Sequence, residues 1–227
     1  MNNITITAVI PVRNGENTIA RAIRSALDAG CDLVYVFDDG STDNTDRISF
    51  DIEENSKGLV RVFSLGQSTR CGVTFARNYL IEEAEDGLII PLDCDDVLMP
   101  IAPLVRQYEQ TTWVYGDYVQ NDRGVSTRVN GFPSGTLNRK NITGVTFLFS
   151  KQDWKSVGGY DPDFAYAEDY AFQCALVNAG IKPVHVDHIA YHRYLHDGGN
   201  KRTTMAGLYW AFYRDMAQIK YPNAFMG

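Results

Sequence analysis

Three carboxylates lie within four positions of one another in PLDCDDVLMP: Asp93, Asp95 and Asp96. Anions this close repel unless a positive charge holds them. In an extended segment alternate side chains share a face, so Asp93 and Asp95 point one way while Asp96 turns aside. Two converging carboxylates suit a hard divalent cation with oxygen ligands, Mn2+ or Mg2+, whose shell is completed by water and substrate phosphate. The same acids equally suit a solvated turn in which Asp96 caps the step before Pro100. Cys94 then fills space between them without ligating. A second acidic step, Asp38-Asp39-Gly40-Ser41, combines a glycine turn with a helix-capping hydroxyl. One of its aspartates can accept hydrogen bonds from a base or ribose, or the pair can simply build the turn. A third, Glu168-Asp169, opens a helix, where acids either complement the dipole or present a general base.

The elements that must carry these steps are legible. Ile4–Pro11 and Leu33–Phe37 read as buried strands rich in β-branched residues, and Leu59–Phe63 and Gly87–Leu92 as two more. Between them lie three helices. The first, capped by Asn17, carries Ile19, Ile23, Ala26 and Leu27 on one face before Gly30. The second is capped by Ser41 or Thr42 and runs through Ile52. The third covers Thr74–Ala84. Such alternation predicts an α/β fold with a mainly parallel sheet, which binds ligands beyond the carboxyl ends of its strands. Pro11–Gly15, Asp38–Asp43 and Asp93–Asp96 all fall there. Beyond Pro100 the spacing predicts a short helix over Ala102–Tyr108 and a hairpin turning near Asp122-Arg123-Gly124. A polar loop over 125–141 follows, then a strand over Thr143–Ser150. A helix over Glu168–Ala179, a strand over Pro183–Val186 and a terminal helix over Thr204–Ile219 complete the chain.

Composition excludes other classes. The chain of 227 residues is 44% apolar and 22% charged, as expected of a globular protein, and no apolar run reaches the roughly 20 residues that span a bilayer. MNNITITAVIPV has no basic start and no cleavage site, and the four scattered cysteines form no CxxC pair, so the expected setting is cytoplasmic and zinc is not implied. A net charge of −7 does not supply a general nucleic-acid surface, although basic residues from Arg123 to Lys140 and Arg193 to Arg202 leave a local strip conceivable.

The motifs also have an order: PVRNGENTIARAIRSAL, VFDDGSTDNT, GVTFARN, IIPLDCDDVLMP, VGGYDPDFAYAEDYAF. From Ile4 to His196 this resembles the family 2 glycosyltransferases. That resemblance implies a GT-A fold in a single domain, 1–227. Its mainly parallel, helix-flanked sheet binds the nucleotide sugar through 1–100, and a smaller sheet and loop region serves the acceptor through 101–227. It implies metal-dependent, inverting transfer of one sugar from a nucleotide diphosphate sugar, UDP-sugar by preference, to a hydroxyl. Pro11 and Arg13 would cradle the base, Asp39 would bond it, and Asp38 would support the turn. Arg77, with Arg70 as a second candidate, would face the nucleotide or pyrophosphate. Asp93 would sit near the ribose and the metal, and Asp95 would be the main metal ligand, with His196 as a further ligand and Arg193 or Lys201 on phosphate. Asp169 would be the catalytic base, with Glu168 beside it. Acceptors compatible with the family are a glycan, a lipid-linked glycan or, in a viral setting, hydroxymethylated DNA. A nucleotidyltransferase is disfavoured because PVRNGENT holds one glycine and no lysine. A nucleotide-sugar hydrolase and a nucleotide- or glycan-binding module without turnover are the other rivals.

Overall fold

The computed structural model describes residues 4–66, 69–131, 133, 137, 141–195 and 201–225. The alternating half folds as β1 (Thr5–Val12), α1 (Ile19–Asp28), β2 (Leu33–Asp38), α2 (Thr45–Asn55), β3 (Val60–Ser64), α3 (Val73–Glu83) and β4 (Gly87–Pro91). The remainder is β5 (Val97–Leu98), α4 (Ala102–Val105), β6 (Thr112–Asp122), β7 (Val125–Val129), β8 (Phe149–Ser150), α5 (Lys151–Val157), α6 (Glu168–Asn178), β9 (Lys182–Leu195) and α7 (Lys201–Lys220).

β1 to β4 are parallel and, with antiparallel β8 at one edge, form a sheet of order β3-β2-β1-β4-β8. β1, β2 and β4 are buried on both faces, hence their near-continuous apolar runs, whereas β3 at the edge is only partly buried. Ile6, Ala8, Ile10 and Val12 of β1 meet Ile19, Ala22, Ile23 and Ala26 of α1. On the opposite face Val9, Tyr35, Phe37 and Ile89 meet Ala76, Leu80 and Ile81 of α3 and the aromatic residues around α6. The strand period of two thus sorts one strand between two cores. A second sheet, order β5-β9-β6-β7, is built on a long parallel pairing of β6 with β9. A bridge from Val114 to Leu148 joins the two sheets. Among the described residues no helix is long and apolar enough to cross a membrane.

Several boundaries differ from expectation. β9 runs to Leu195 because β6 pairs with it along its whole length, an order that polar His185, Asp187, His188 and Arg193 do not announce. The loop expected over 125–141 begins as strand β7, and the hairpin turns on Arg123 (φ 47°) and Gly124 (φ 83°). The strand expected over Thr143–Ser150 shrinks to β8. The next residues form α5, whose Ser150 cap accepts the Asp153 N–H and whose Gly158 closes it in the left-handed region. Asn17 does not cap α1, which starts after Thr18. Ser41 and Thr42 do not cap α2, which starts at Thr45, where Asp43 Oδ1 accepts the Thr45 N–H at 3.0 Å.

Candidate active site

The carboxyl ends of β1, β2 and β4 lie side by side, and each continues into one of the acidic or polar steps. After β1, the loop of Arg13 to Glu16 is zipped to the loop after β2. Asn14 N–H donates to Ser41 Oγ at 2.9 Å, Gly15 N–H to Thr45 Oγ1 at 2.8 Å, and Asn44 N–H to Glu16 Oε2 at 3.0 Å. Asp38 is buried and accepts both the N–H and the hydroxyl of Ser41, at 2.9 and 2.6 Å. Gly40 is required between them: its φ is +71°, and a Cβ would stand 2.7 Å from the Thr69 carbonyl oxygen. Asp39 is also buried, and its carboxylate accepts the N–H groups of Cys71 (2.5 Å) and Gly72 (3.0 and 3.1 Å), tying the β2 turn to the start of α3. Pro11 is buried in the wall of the main cleft, whereas Arg13 is exposed at the end of β1.

After β4, Asp93, Asp95 and Asp96 each bring a carboxylate oxygen to within 4.8 Å of the other two. Asp96 does not turn aside, as strand alternation predicts. The chain turns at Asp93, whose carbonyl takes the Asp96 N–H at 3.0 Å, and Asp96 Oδ1 accepts the Tyr194 N–H of β9 at 3.0 Å. Burial, then the charges of Asp93 and Asp95, push the Asp96 carboxyl well above the usual carboxylate range. Burial and the same neighbours push the Cys94 thiol up to about 12, so it stays neutral. Arg21 steadies the segment: its guanidinium donates to the Asp95 carbonyl at 2.5 Å and lies 4.3 Å from the Tyr194 ring centre.

Arg77 joins this cluster to α6. Its side chain is 1% exposed, with Nη2 2.7 Å from Asp93 Oδ1 and Nη1 2.7 Å from Glu168 Oε1. Burial works against its charge, but Asp93 and Glu168 outweigh burial and raise its pKa. The guanidinium therefore faces protein carboxylates at the floor of the cleft, and any approach to a phosphate is shared with them. Glu168 is buried on this pair, whereas Asp169 is half-buried in the cleft. Asp169 Oδ1 takes the Tyr170 N–H at 2.8 Å and Oδ2 takes the Asn141 Nδ2–H at 2.7 Å. Asn141 in turn is held by Gln173, four residues after Asp169 on α6, whose Nε2 donates to Asn141 Oδ1 at 2.9 Å.

One cleft of about 450 Å³ collects these groups; Asp93, Asp95, Asp96, Glu168 and Asp169 line it together with Arg77 and Arg193. Five carboxylates against two guanidiniums leave the wall negative, so the cleft favours a cation or a ligand that brings one. The family description "Glycosyl transferase family 2" matches residues 7–169. The chain belongs to glycosyl transferase family 2. This chain is 33% identical over 96 residues to the succinoglycan biosynthesis protein ExoU of Rhizobium meliloti, a match covering 42% of this chain and about a quarter, 27%, of that protein. S. aureus TarS 1–349 in complex with UDP superposes with TM-score 0.68 at 16% identity, covering 96% of this chain and 70% of TarS 1–349. GalNAc-T7 with UDP, GalNAc and Mn2+ does so with TM-score 0.69 at 19% identity, covering 98% and 51%. The mainly parallel sheet flanked by helices is thus the GT-A fold.

Other expected site residues are more dispersed. Arg70 lines a neighbouring hollow of about 730 Å³ with Phe75, Tyr79 and Trp154. His196 and the Lys201 side chain lie outside the described residues. Of the conceivable basic strip, Arg128 is engaged by Asp117 and Asp187, so its charge is matched within the second sheet. Asn141, Gln173 and Arg21 were not singled out from the sequence. Gln173 carries a signal, because its spacing of four from Asp169 sets both on one helix face.

Proposed function

We propose that this transferase moves one sugar per binding event from a nucleotide diphosphate sugar, with UDP as the preferred nucleotide, to a hydroxyl of a bacterial-type glycan, inverting the anomeric carbon. The observation that carries this reading is the shared cleft, where a carboxylate trio and a hydrogen-bonded Asp169 stand across from each other on different elements. UDP in the TarS structure, UDP with Mn2+ in the GalNAc-T7 structure, and the succinoglycan role of ExoU support the donor, the ion and the product class.

The trio fits a divalent ion. Its donors are all oxygen and they converge, and burial together with the charges of Asp93 and Asp95 favours a protonated Asp96 where no cation is present. Asp93, Asp95 and Asp96 would hold Mn2+ or Mg2+, which supplies charge against the diphosphate leaving group. Pro11 and Arg193, which line the cleft, would take the base and the phosphates, whereas Asp38, Asp39 and Arg13 lie outside its lining and would act through the turn that ties β2 to α3. Asp169 accepts the proton of the acceptor hydroxyl as that oxygen bonds to the anomeric carbon and the nucleotide diphosphate departs. A single displacement of this kind needs no covalent intermediate with the protein and inverts the centre.

The test is release of nucleotide from a panel of UDP- and other nucleotide sugars in Mn2+, Mg2+ or chelator. Metal-dependent release from at least one donor is expected. A protein that binds UDP with Mn2+ yet releases nucleotide from no donor, with or without glycan acceptors, is a binding module instead.

A further inference from the structure

Resting on the reading of Asp169 as base, we infer that Asn141, locked by Gln173, is the positioning residue that aims the Asp169 carboxylate at the acceptor. A half-buried carboxylate at a helix start has two free torsions, and a base must present a defined oxygen to the reacting hydroxyl. Here each oxygen has one fixed donor: the Tyr170 N–H on Oδ1 and the Asn141 amide on Oδ2, 2.7 Å away. A carboxylate offers about four lone-pair positions, so acceptor capacity is left over.

The Asn141 amide cannot swivel. Its Oδ1 accepts from Thr143 N at 3.2 Å, Gly144 N at 2.8 Å and Gln173 Nε2 at 2.9 Å. Flipping the amide would set NH2 against three N–H donors and a carbonyl oxygen against a carboxylate. The donor direction toward Asp169 is therefore dictated by the network. Gln173 is fully buried, and its remaining bonds go to the same loop: Nε2 to the Gly144 carbonyl at 2.9 Å, and Oε1 from the Ile142 N–H at 3.4 Å. Burying an amide is unfavourable unless it is bonded, so a Gln whose bonds all serve one loop is there for that loop. From β9, Tyr191 Oη donates to the Thr143 carbonyl at 3.0 Å, and a Cβ on Gly144 (φ +82°) would come within 2.8 Å of that oxygen. Residues 141–145 all line the cleft. The segment that aims the base is thus also a wall of the cleft, fastened to α6 through Gln173 and to β9 through Tyr191.

The rival explanation is that Asn141 only forms a turn through its Oδ1. Asn141→Asp separates the two, because it keeps the turn acceptor and removes the donor to Asp169. With the donor chosen by the nucleotide-sugar panel, Asn141→Asp is expected to lower kcat by about 10²-fold while the donor KM holds, with a Tm lowered by the like-charge contact but the fold retained. The acid limb of its pH–rate profile moves to higher pH, because a new carboxyl faces the old one. Asp169→Asn runs beside it. Wild-type kcat in Asn141→Asp with a dead Asp169→Asn overturns this inference and leaves the transferase reading standing. An active Asp169→Asn overturns the base assignment and the inference with it. A second measurement needs no turnover: the side-chain amide resonance of Asn141 should move between the wild type and Asp169→Asn, because its acceptor changes from a charged to a neutral oxygen. An Asn141 amide resonance that is the same in both proteins refutes the contact.

Discussion

Arg77 and Glu168, separated by 91 residues in sequence, meet at 2.7 Å between Nη1 and Oε1 inside the protein. The other terminal nitrogen of the same guanidinium reaches Asp93 at 2.7 Å. One rigid, planar cation thereby fixes the distance between the loop after β4 and the first turn of α6. Those are the segments that carry the carboxylate trio and Asp169. A lysine carries its donors on a single nitrogen and lacks the planar fork that holds two carboxylates in fixed directions.

Removing that cation strands Glu168, which is only 7% exposed. Arg77→Met is expected to destabilise the fold by about 3–5 kcal/mol, the usual effect of leaving a buried charge uncompensated. Glu168→Gln placed in the same background should recover part of the loss, because the pair is coupled. Urea denaturation of the four members of the cycle measures this. Additive effects would show that the two residues do not depend on each other.

The two sides of the cleft are expected to separate kinetically. Asp169→Asn should retain Mn2+-dependent UDP binding and lose about 10²–10⁴ in turnover, the range general base catalysis contributes. Asp95→Ala should weaken Mn2+-dependent UDP binding itself. Calorimetric titration of both variants with UDP, with and without Mn2+, decides it. An equal loss of UDP affinity in the two would contradict the division of roles.

The strand ends and their acidic steps were legible because a parallel sheet imposes them: a buried apolar run must stop, and it stops at Asp38 and Asp93. The inward direction of Arg77 was legible too, though read as facing ligand. Ala76, Arg77, Leu80 and Ile81 form the buried stripe of α3, and a charge on that stripe calls for buried partners of opposite sign. Which partners could not be read, since Asp93 and Glu168 arrive from other elements. Asp96 failed differently, because strand alternation applies only while the chain stays extended, and it turns at Asp93. β9 was cut short because its polar residues face β6 and the second sheet's surface, where pairing rather than apolar burial maintains the strand.

Asp117 is expected to set the acid sensitivity of the second sheet. It is buried beside the register shift of β6, where its carboxylate takes Arg128 Nε at 2.9 Å and the Gly131 N–H at 2.8 Å and lies 2.8 Å from His185 Nε2. Burial raises its pKa, but the bonds from Arg128, Gly131 and His185 outweigh burial and hold the carboxyl below the usual range. A carboxyl depressed in the folded state stabilises above its unfolded value, and this is lost as pH falls through the lowered folded value. Asp117→Asn should therefore destabilise by about 2 kcal/mol at neutral pH and flatten the stability loss below about pH 4. Thermal melts across pH 2 to 8 read both effects. An unchanged acid slope would assign the sheet's acid sensitivity elsewhere.

Asp96 is expected to do the reverse. It is 4% exposed, and burial with the charges of Asp93 and Asp95 raises its carboxyl well above the ordinary range. A carboxyl raised in the folded state opposes folding wherever the unfolded chain would be ionised, so near neutral pH without metal the ionisation of Asp96 is a source of instability. Asn at this position keeps an oxygen for the Tyr194 N–H, which the native carboxylate accepts at 3.0 Å, and removes the repulsion. Each pKa unit relieved is about 1.4 kcal/mol, which for a chain of this size is about 3–6 °C, so Asp96→Asn should raise the metal-free Tm by an amount on that scale. The same change removes one oxygen ligand and one charge from the trio, so the extra Tm that Mn2+ with UDP confers on the wild type should shrink in the variant. Melting curves with chelator, with Mn2+ and with Mn2+ plus UDP give the comparison. A variant less stable than wild type in chelator would mean that the Asp96 carboxylate holds β9 more strongly than it repels its neighbours.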